Sequence, residues 1–406
     1  MKITNVRIFT FTGIEQENPG VFYDNKNVFR VSPTDIHLGY KKKKGHISVT
    51  HTPQADGTFQ IKHNYLQIDT DAGITGYAGP ISNPLPPYYI HHYLTPILVG
   101  QDPRDIEKLW DLMYRTSING RKGENMQAIS YVDIALWDIL CKSLGLPLYR
   151  LLGGKVQSRI PAYANTAGYP QDLESVAATI RTLMDEGYTA VKWGICYGPA
   201  QGDAGLRETV EKVRVIRETA GADFKIMLDA WSSWDVPYTL RIAEALAQYD
   251  ITWIEEPVMP DLVQSYAKLN ALCPIPIAGG EHEYTRWGFK ALMDIDACDV
   301  YQPDPAWSGG ISEVLKINAL ASAYDTRIAI HNSIPSISIH MSCAQPSSVI
   351  PIAEYLLLVG DASQYFLKNL CKPQDGYFYP PEEPGVGLDF DEAKIQNRTE
   401  WQPDFN

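Results

Sequence analysis

The chain has 406 residues, 45% of them hydrophobic and 20% charged, with a formal net charge of −13 at pH 7. This length suits one barrel of about 250 residues plus a companion domain, and the composition is globular. The acidity argues against nucleic-acid binding, which wants a basic footprint, and no apolar run approaches the roughly 20 residues of a membrane helix.

The N-terminus, MKITNVRIFTFTG, alternates like a strand and lacks the apolar core and cleavage site of a secretory signal. Six cysteines, at 141, 196, 273, 298, 343 and 371, show no C-x-x-C spacing and read as reduced thiols of a cytoplasmic protein. Residues 1–12 and 60–80 are predicted strands, the latter turning as a hairpin at Asp71-Ala72-Gly73. Between them, residues 13–59 hold Lys, Gly, Pro and His with little periodicity, and a loop of that length is usually functional or mobile. Its basic run, Lys41 to Lys44, is either a solvated surface or a lid that attracts an acidic substrate. Residues 85–120 have helical spacing, with a helix start at Asp102-Pro103.

From about residue 125 the pattern changes to alternating helix and strand. AISYVDIALWDILCKSLG reads as a strongly amphipathic helix. Short apolar strands follow near residues 160–165, 189–195, 225–230, 251–255, 275–281, 299–304, 327–331 and 350–355. Eight strands separated by helices predict an α/β fold, a (β/α)8 TIM barrel with an N-terminal α+β capping domain. The Pro/Gly-rich tail GYFYPPEEPGVGLDFDEA is expected to leave the barrel and pack back on the N-terminal domain. The expected division is a cap over 1–125, a catalytic barrel over 126–370 and a returning segment over 371–406.

Five polar side chains end successive apolar runs: Asp229 in KIMLDAW, Glu255 in TWIEEP, Glu281 in IAGGEH, Asp304 in VYQPDP and His331 in IAIHN. The gaps of 26, 26, 23 and 27 residues each hold one strand, one helix and two loops. Each residue then stands at the C-terminal end of a barrel strand, the face at which such barrels build active sites. Three carboxylates followed by an Asp and a His describe a divalent-metal site beside a general base. Glu256 should point to the opposite side of the pleat from Glu255 and act behind the ligands. GDAG, at 202–205, reads as turn chemistry in the loop after the second strand, with no phosphate-binding pattern around it.

The helix VDIALWDILCKSLGLPLYRLLGG, with MLDAW, WIEEP, GGEH, QPD and PGVGLDF, resembles the enolase superfamily in its mandelate-racemase-like branch. Within that branch GDAGLRETVEKVRVIRETAG, MLDAWSSWDVPYTLRIA and GEHEYTRWG are most similar to acid-sugar dehydratases of the L-rhamnonate dehydratase type. The resemblance implies Mg2+, a homo-oligomer, and a cap whose mobile loops choose the substrate. Asp229, Glu255 and Glu281 are the expected Mg2+ ligands, since the hard cation prefers oxygen and keeps open positions for a substrate carboxylate and hydroxyl. His331 is the expected base, and Asp304 fixes its tautomer; the superfamily pairs a Lys or His base with Mg2+.

The branch usually carries Lys-x-Lys at the second strand, whereas here Lys192 is followed by Gly194 at the second lysine's place. Lys192 then serves as an electrophile near the substrate carboxylate, or else snorkels to solvent. Without a second base, racemisation is disfavoured. Glu354 falls at the eighth strand, where the family keeps an acidic residue. His282 either reaches the site or points into the wall; Trp307, Asn332 and His340 are candidate pocket liners; His37, Tyr40 and His46 contact substrate if their loop folds over the barrel. The reading is dehydration of an L-rhamnonate-like aldonic acid to a 2-keto-3-deoxy acid through an enediolate. An epimerase, racemase or cycloisomerase using the same enediolate is the alternative within enzymes, and a non-catalytic sugar-acid binder the alternative outside them. No nucleic-acid or membrane partner is expected.

Overall fold

The computed structural model describes residues 1–16, 31–37 and 51–402. Strands β1 (Ile3–Glu15), β2 (His51–Pro53), β3 (Phe59–Thr70) and β4 (Thr75–Ile81) form an antiparallel sheet. β3 and β4 are joined by the expected hairpin, where Gly73 supplies φ +74. A fifth strand comes from the far end of the chain: β14 (Asn397–Glu400) pairs with β1. Just before it, Phe390 packs edge-on against Phe11, Tyr65 and Tyr77 at 4.8–5.0 Å between ring centres. The tail therefore returns to the cap sheet.

Helical turns α1 (Leu85–Tyr89) and α2 (Thr95–Leu98), linked by a π turn at Ile90–Leu94, lead to α3 (Ile106–Thr116). The helix expected from Asp102-Pro103 thus starts later, at Ile106. Asp102 Oδ1 accepts the Arg104 backbone N–H at 3.0 Å and its Nε–H at 2.9 Å, and this local turn competes with the helix.

Helix α4 (Glu124–Leu144) is the seam of the molecule. Expected to be strongly amphipathic, it is instead buried around most of its circumference, because β4 and α1 cover one side and a barrel helix the other. It ends on Gly145 in the left-handed region, with Leu146 N–H bonded back to Cys141 C=O. Its fully buried Asp138 joins three parts of the chain. The carboxylate accepts Tyr77 N–H from β4 at 2.9 Å, Val386 N–H from the tail at 3.0 Å, and the Lys142 ammonium.

After α5 (Leu148–Leu151) come eight parallel strands: β5 (Ile160–Asn165), β6 (Ala190–Gly194), β7 (Lys225–Asp229), β8 (Ile251–Glu255), β9 (Ile277–Gly279), β10 (Val300–Tyr301), β11 (Arg327–Ile328) and β12 (Ala353–Leu356). Their order is β11-β10-β9-β8-β7-β6-β5-β12, and the ring is brought round where Ile328 N–H meets Val349 C=O at 2.8 Å. Helices α6 (Leu173–Asp185), α7 (Gly202–Ala220), α8 (Val236–Leu246), α9 (Val263–Leu272), α10 (Thr285–Met293), α11 (Gly310–Ala323) and α12 (Pro335–Cys343) follow successive strands, and β13 (Tyr377–Phe378) adds antiparallel to β5. This is the expected TIM barrel with an α+β cap. GDAG is not a loop but the first turn of α7, where Gly205 lets the helix pass closely over Tyr197.

Replacing Asp138 by alanine removes the acceptor of the buried Val386 N–H and the part-buried Tyr77 N–H and the carboxylate beside Lys142, so unfolding should cost about 3 kcal/mol less than in the parent. Urea unfolding of the two proteins measures this, and a loss under about 1 kcal/mol would show that α4 is held by apolar packing alone.

Candidate active site

The barrel is filled low down by one inward side chain from each strand or its margin: Tyr163, Ala190, Met227, Trp253, Ala278, Val300, Ala329 and Ile352. Side chains repeat on a face every second residue. One step further along stand Asn165, Lys192, Asp229, Glu255, Gly280, Gln302, His331 and Glu354. An apolar floor thus carries a polar layer above it at the C-terminal ends of the strands. Two carboxylates enter the mouth outside this alternation. Glu281 follows Gly280, whose φ of +106 turns the chain, and Glu256 itself has φ +38. The expectation that Glu256 points away therefore fails: it is buried beside Glu281, because the strand has already ended.

His331 Nδ1–H donates to Asp304 Oδ2 at 2.6 Å. The Asp304 carboxylate also accepts from Ser333 Oγ at 2.8 Å, Ser333 N at 3.2 Å and Ala306 N at 2.7 Å. A carboxylate so held is an acceptor only, so the proton lies on Nδ1 and Nε2 is left to face the mouth. Nε2 stands 3.8 Å from Glu281 Oε2, and the Trp307 ring covers the imidazole at 4.8 Å. Burial disfavours charge on His331, but Glu281, the bond to Asp304 and Glu354 outweigh it and lift its pKa to about 10.

Across the mouth, the fully buried Lys192 ammonium lies beside Glu255, 2.7 Å from Glu354 Oε1 and 3.9 Å from Asp229 Oδ2. It does not snorkel to solvent. One ammonium is too little for this cluster: burial, opposed by Lys192 but reinforced by Asp229, Glu354 and Glu281, pushes Glu255 up to about 8. Gln302 Oε1 and Asn332 Oδ1 are buried there without a hydrogen-bond partner. Excess buried carboxylate and free oxygen lone pairs are what a hard divalent cation requires. Among the described residues, the ligand atoms gathered within 4.8 Å of one another are those of Glu256, Glu281 and His282 rather than the expected Asp229, Glu255 and Glu281. His282, however, donates Nδ1–H to Glu256 at 2.7 Å. Against burial, Glu256 and Glu281 raise its pKa to about 9, so the two carboxylates hold the ring by charge as well as by the hydrogen bond.

Residues 175–394 match the enolase C-terminal domain-like family, and residues 51–153 match the N-terminal domain family of mandelate racemase and muconate lactonizing enzyme. The chain belongs to the enolase superfamily. It is 32% identical over 397 residues to L-rhamnonate dehydratase of Saccharopolyspora erythraea, covering 96% of each chain. The crystal structure of rhamnonate dehydratase from Gibberella zeae complexed with Mg is 32% identical, with a TM-score of 0.82 over 97% of this chain and 95% of that one. The 3,6-anhydro-D-galactonate cycloisomerase of Zobellia galactanivorans is 27% identical, with a TM-score of 0.75 over 98% and 99% of the two chains.

In this superfamily member, His282 and Trp307 reach the mouth, their rings 5.7 Å apart. His37 ends a 3-10 turn (Pro33–Ile36) that packs beside Pro199–Gln201, and Val31 N–H bonds Ile195 C=O at 2.9 Å, just past the end of β6. The cap segment thus meets the barrel's upper rim, although the His37 side chain is exposed there. Tyr40, His46 and Lys41–Lys44 lie outside the described residues. Asn332 bonds Glu354 through its backbone N–H at 3.3 Å and through its side-chain amide. Sequence reasoning passed over two residues. Gln302 donates Nε2–H to Glu255 at 2.6 Å, and Asn165 donates Nδ2–H to Glu354 at 2.9 Å. Both were findable by counting two residues on from Val300 and Tyr163.

His340 is not a pocket liner. It sits inside α12, fully buried, stacked on Tyr149 of α5 at 5.8 Å in the outer helical layer, with both ring nitrogens unpartnered. Burial depresses its pKa to about 3. In the unfolded chain it protonates near 6.5, so below that pH the unfolded state takes up the proton and the fold does not. His340 therefore costs no stability well above 6.5, and costs steadily more as the pH falls from 6.5 toward 3. Between pH 7 and pH 5 the loss should be about 2 kcal/mol, and His340→Leu should abolish that part of it. Urea unfolding of both proteins at the two pH values measures the difference; identical slopes would contradict the assignment.

Proposed function

We propose that the chain is a Mg2+-dependent hydro-lyase that dehydrates an aldonic acid, L-rhamnonate or a close stereochemical analogue, to a 2-keto-3-deoxy acid. The observation that carries this reading is the 2.6 Å His331–Asp304 dyad at the rim of a carboxylate-rich cluster, where among the described residues the lysine across the mouth, Lys192, is paired with Glu255 and Glu354. A Cβ at Gly194 would lie 2.9 Å from Ala167 Cα, so the place of a second lysine is closed by main chain. That favours elimination over racemisation. The named dehydratase relatives support the substrate class.

Asp229, Glu255 and Glu281 would hold the cation, since His282 is committed to Glu256. When bound, Mg2+ stabilises the negative charge that develops on the substrate carboxylate, by several kcal/mol. In its neutral form, which a cation held by Glu281 would favour by offsetting the carboxylate charge that raises its pKa, His331 Nε2 would take the C2 proton, with Asp304 fixing the ring for in-line approach and balancing the imidazolium then formed. The C2–H electron pair passes into the enediolate of the substrate. As that pair returns to form the C2–C3 double bond, the C3–O bond breaks and the His331 imidazolium delivers its proton to the departing oxygen. One water leaves, the base is restored, and the enol ketonises without further help. Lys192, paired with Glu354, presents fixed positive charge toward the substrate carboxylate. Residues 1–125 would select the acid and residues 126–370 react with it, with the tail clamping the two. The six cysteines form no disulfide, which supports a reducing compartment such as the cytoplasm, and the superfamily resemblance supports a homo-oligomer. Among the described residues no helix is long and apolar enough to cross a membrane.

Incubation with a stereochemically complete set of aldonic acids and Mg2+ should yield a 2-keto product from L-rhamnonate or a near analogue, and a chelator should stop it. His331→Asn should lower the rate by about 10²–10⁴ or more. Deuterium entering C2 with no loss of water would favour the epimerase reading. A folded, metal-loaded protein that dehydrates none of the acids would refute the proposal.

A further inference from the structure

Helix α11 starts at Gly310, shortly after the dyad aspartate, and its first turn has no side-chain cap of its own. Its N-cap is Gly309, at φ +118, which has no side chain to accept the free N–H groups of the helix start. The acceptors come from α4 instead. Ser130 Oγ accepts Gly309 N–H at 2.9 Å, and the Asp133 carboxylate accepts Ser312 N–H at 3.0 Å and Ser312 Oγ–H at 2.6 Å. On the other side, Trp110 Nε1–H of α3 donates to Gly309 C=O at 2.8 Å. The fit is close: a Cβ on Gly310 would fall 2.3 Å from Asp133 Oδ2.

Upstream of Gly309 the chain is a single tight turn. Asp304 C=O accepts Trp307 N–H at 3.0 Å, Ser308 N–H at 2.8 Å and Ser308 Oγ–H at 2.7 Å. Between its two ends the turn is tied to its neighbours by Thr285 N–H, which donates to Ser308 C=O at 2.9 Å, and by Ser333, which donates to the Asp304 carboxylate. One end is β10; the other is the α11 start that Asp133 holds. A cap supplied by another helix therefore anchors the far end of the turn that carries the Asp304 carboxylate to His331 and the Trp307 ring over it.

We propose that Asp133 is a positioning residue for the His331–Asp304 dyad, acting through the 304–309 turn by capping α11 from α4. Its kinetic consequence rests on the dehydratase reading; its structural consequence does not. The test uses full-length Asp133→Ala and Asp133→Asn, read by steady-state kinetics on L-rhamnonate with Mg2+ and by the downfield proton signal of the His331 Nδ1–H bond in substrate-free protein, assigned by its loss in His331→Asn. Asp133→Ala should lower kcat by about 10–100-fold, as small misplacements of catalytic groups do, with KM nearly unchanged and the downfield signal shifted or broadened. Asp133→Asn keeps one acceptor oxygen and should recover most of kcat. Should the alanine variant not fold, Ser312→Ala removes one of the two bonds and should move the same signal with a smaller loss of kcat. An unmoved signal in the folded Ala variants, a change confined to KM, or an Asn variant as poor as Ala overturns the proposal. If the parent dehydrates no acid sugar, the functional reading falls while the proton signal still decides the positioning role.

Discussion

Carboxylates in this barrel outnumber the cations buried with them, and that imbalance governs the rest of the structure. Asp229, Glu255, Glu281 and Glu354 converge on a mouth where Lys192 is the ammonium among them. At 2.7 Å, a Lys–Glu contact gains about 6 kcal/mol with the effective dielectric that suits protein sites. Each unpaired buried ion costs several kcal/mol. One ammonium can therefore hold two close carboxylates but not four, and the remainder is left to hydrogen bonds and to whatever cation enters. The surplus appears physically as the upward displacement of Glu255, and as high pKa values for the two imidazoles that face Glu281.

Charge of this density is kept in place by rigid surroundings rather than by loops. Every member of the polar layer stands one step above an apolar floor residue, so the strand register that packs Tyr163 against Trp253 also sets the height of Lys192 and Glu255. Helix α4 performs the corresponding task outside the barrel. Its two buried aspartates face opposite partners: Asp133 binds the start of α11, and Asp138 binds the cap strand β4 and the returning tail. Cap, barrel and C-terminal segment thus share one element, which is why its sequence is so apolar and why its charges lie inward.

Much of this was legible from residues alone, for a reason the register makes plain. KIML, TWI and the other short apolar runs are too brief for helices and end in a polar residue at the same phase, so strand ends and inward direction came together. Asp304 and His331, 27 residues apart, meet because β10 and β11 are neighbours in the sheet. What stayed hidden depends on tertiary context. The turn-in of Glu256 needs a positive φ that no local pattern announces. Lys192 left a snorkelling side chain open as the alternative until three other strands brought carboxylates to it. His340, in PSISIHMSC, read as a candidate pocket liner, whereas the segment is a helix buried on all sides. The later start of α3 turned on a two-residue Asp102–Arg104 contact.

The central claim, that strand-end carboxylates rather than the His282 group form the cation site, is tested most directly by Mn2+ binding to substrate-free protein, followed by electron paramagnetic resonance. The parent should bind the ion, Asp229→Asn and Glu255→Gln should each abolish that binding, and Glu256→Gln should leave it intact. Undiminished binding in the first two variants together with its loss in the third would contradict the account.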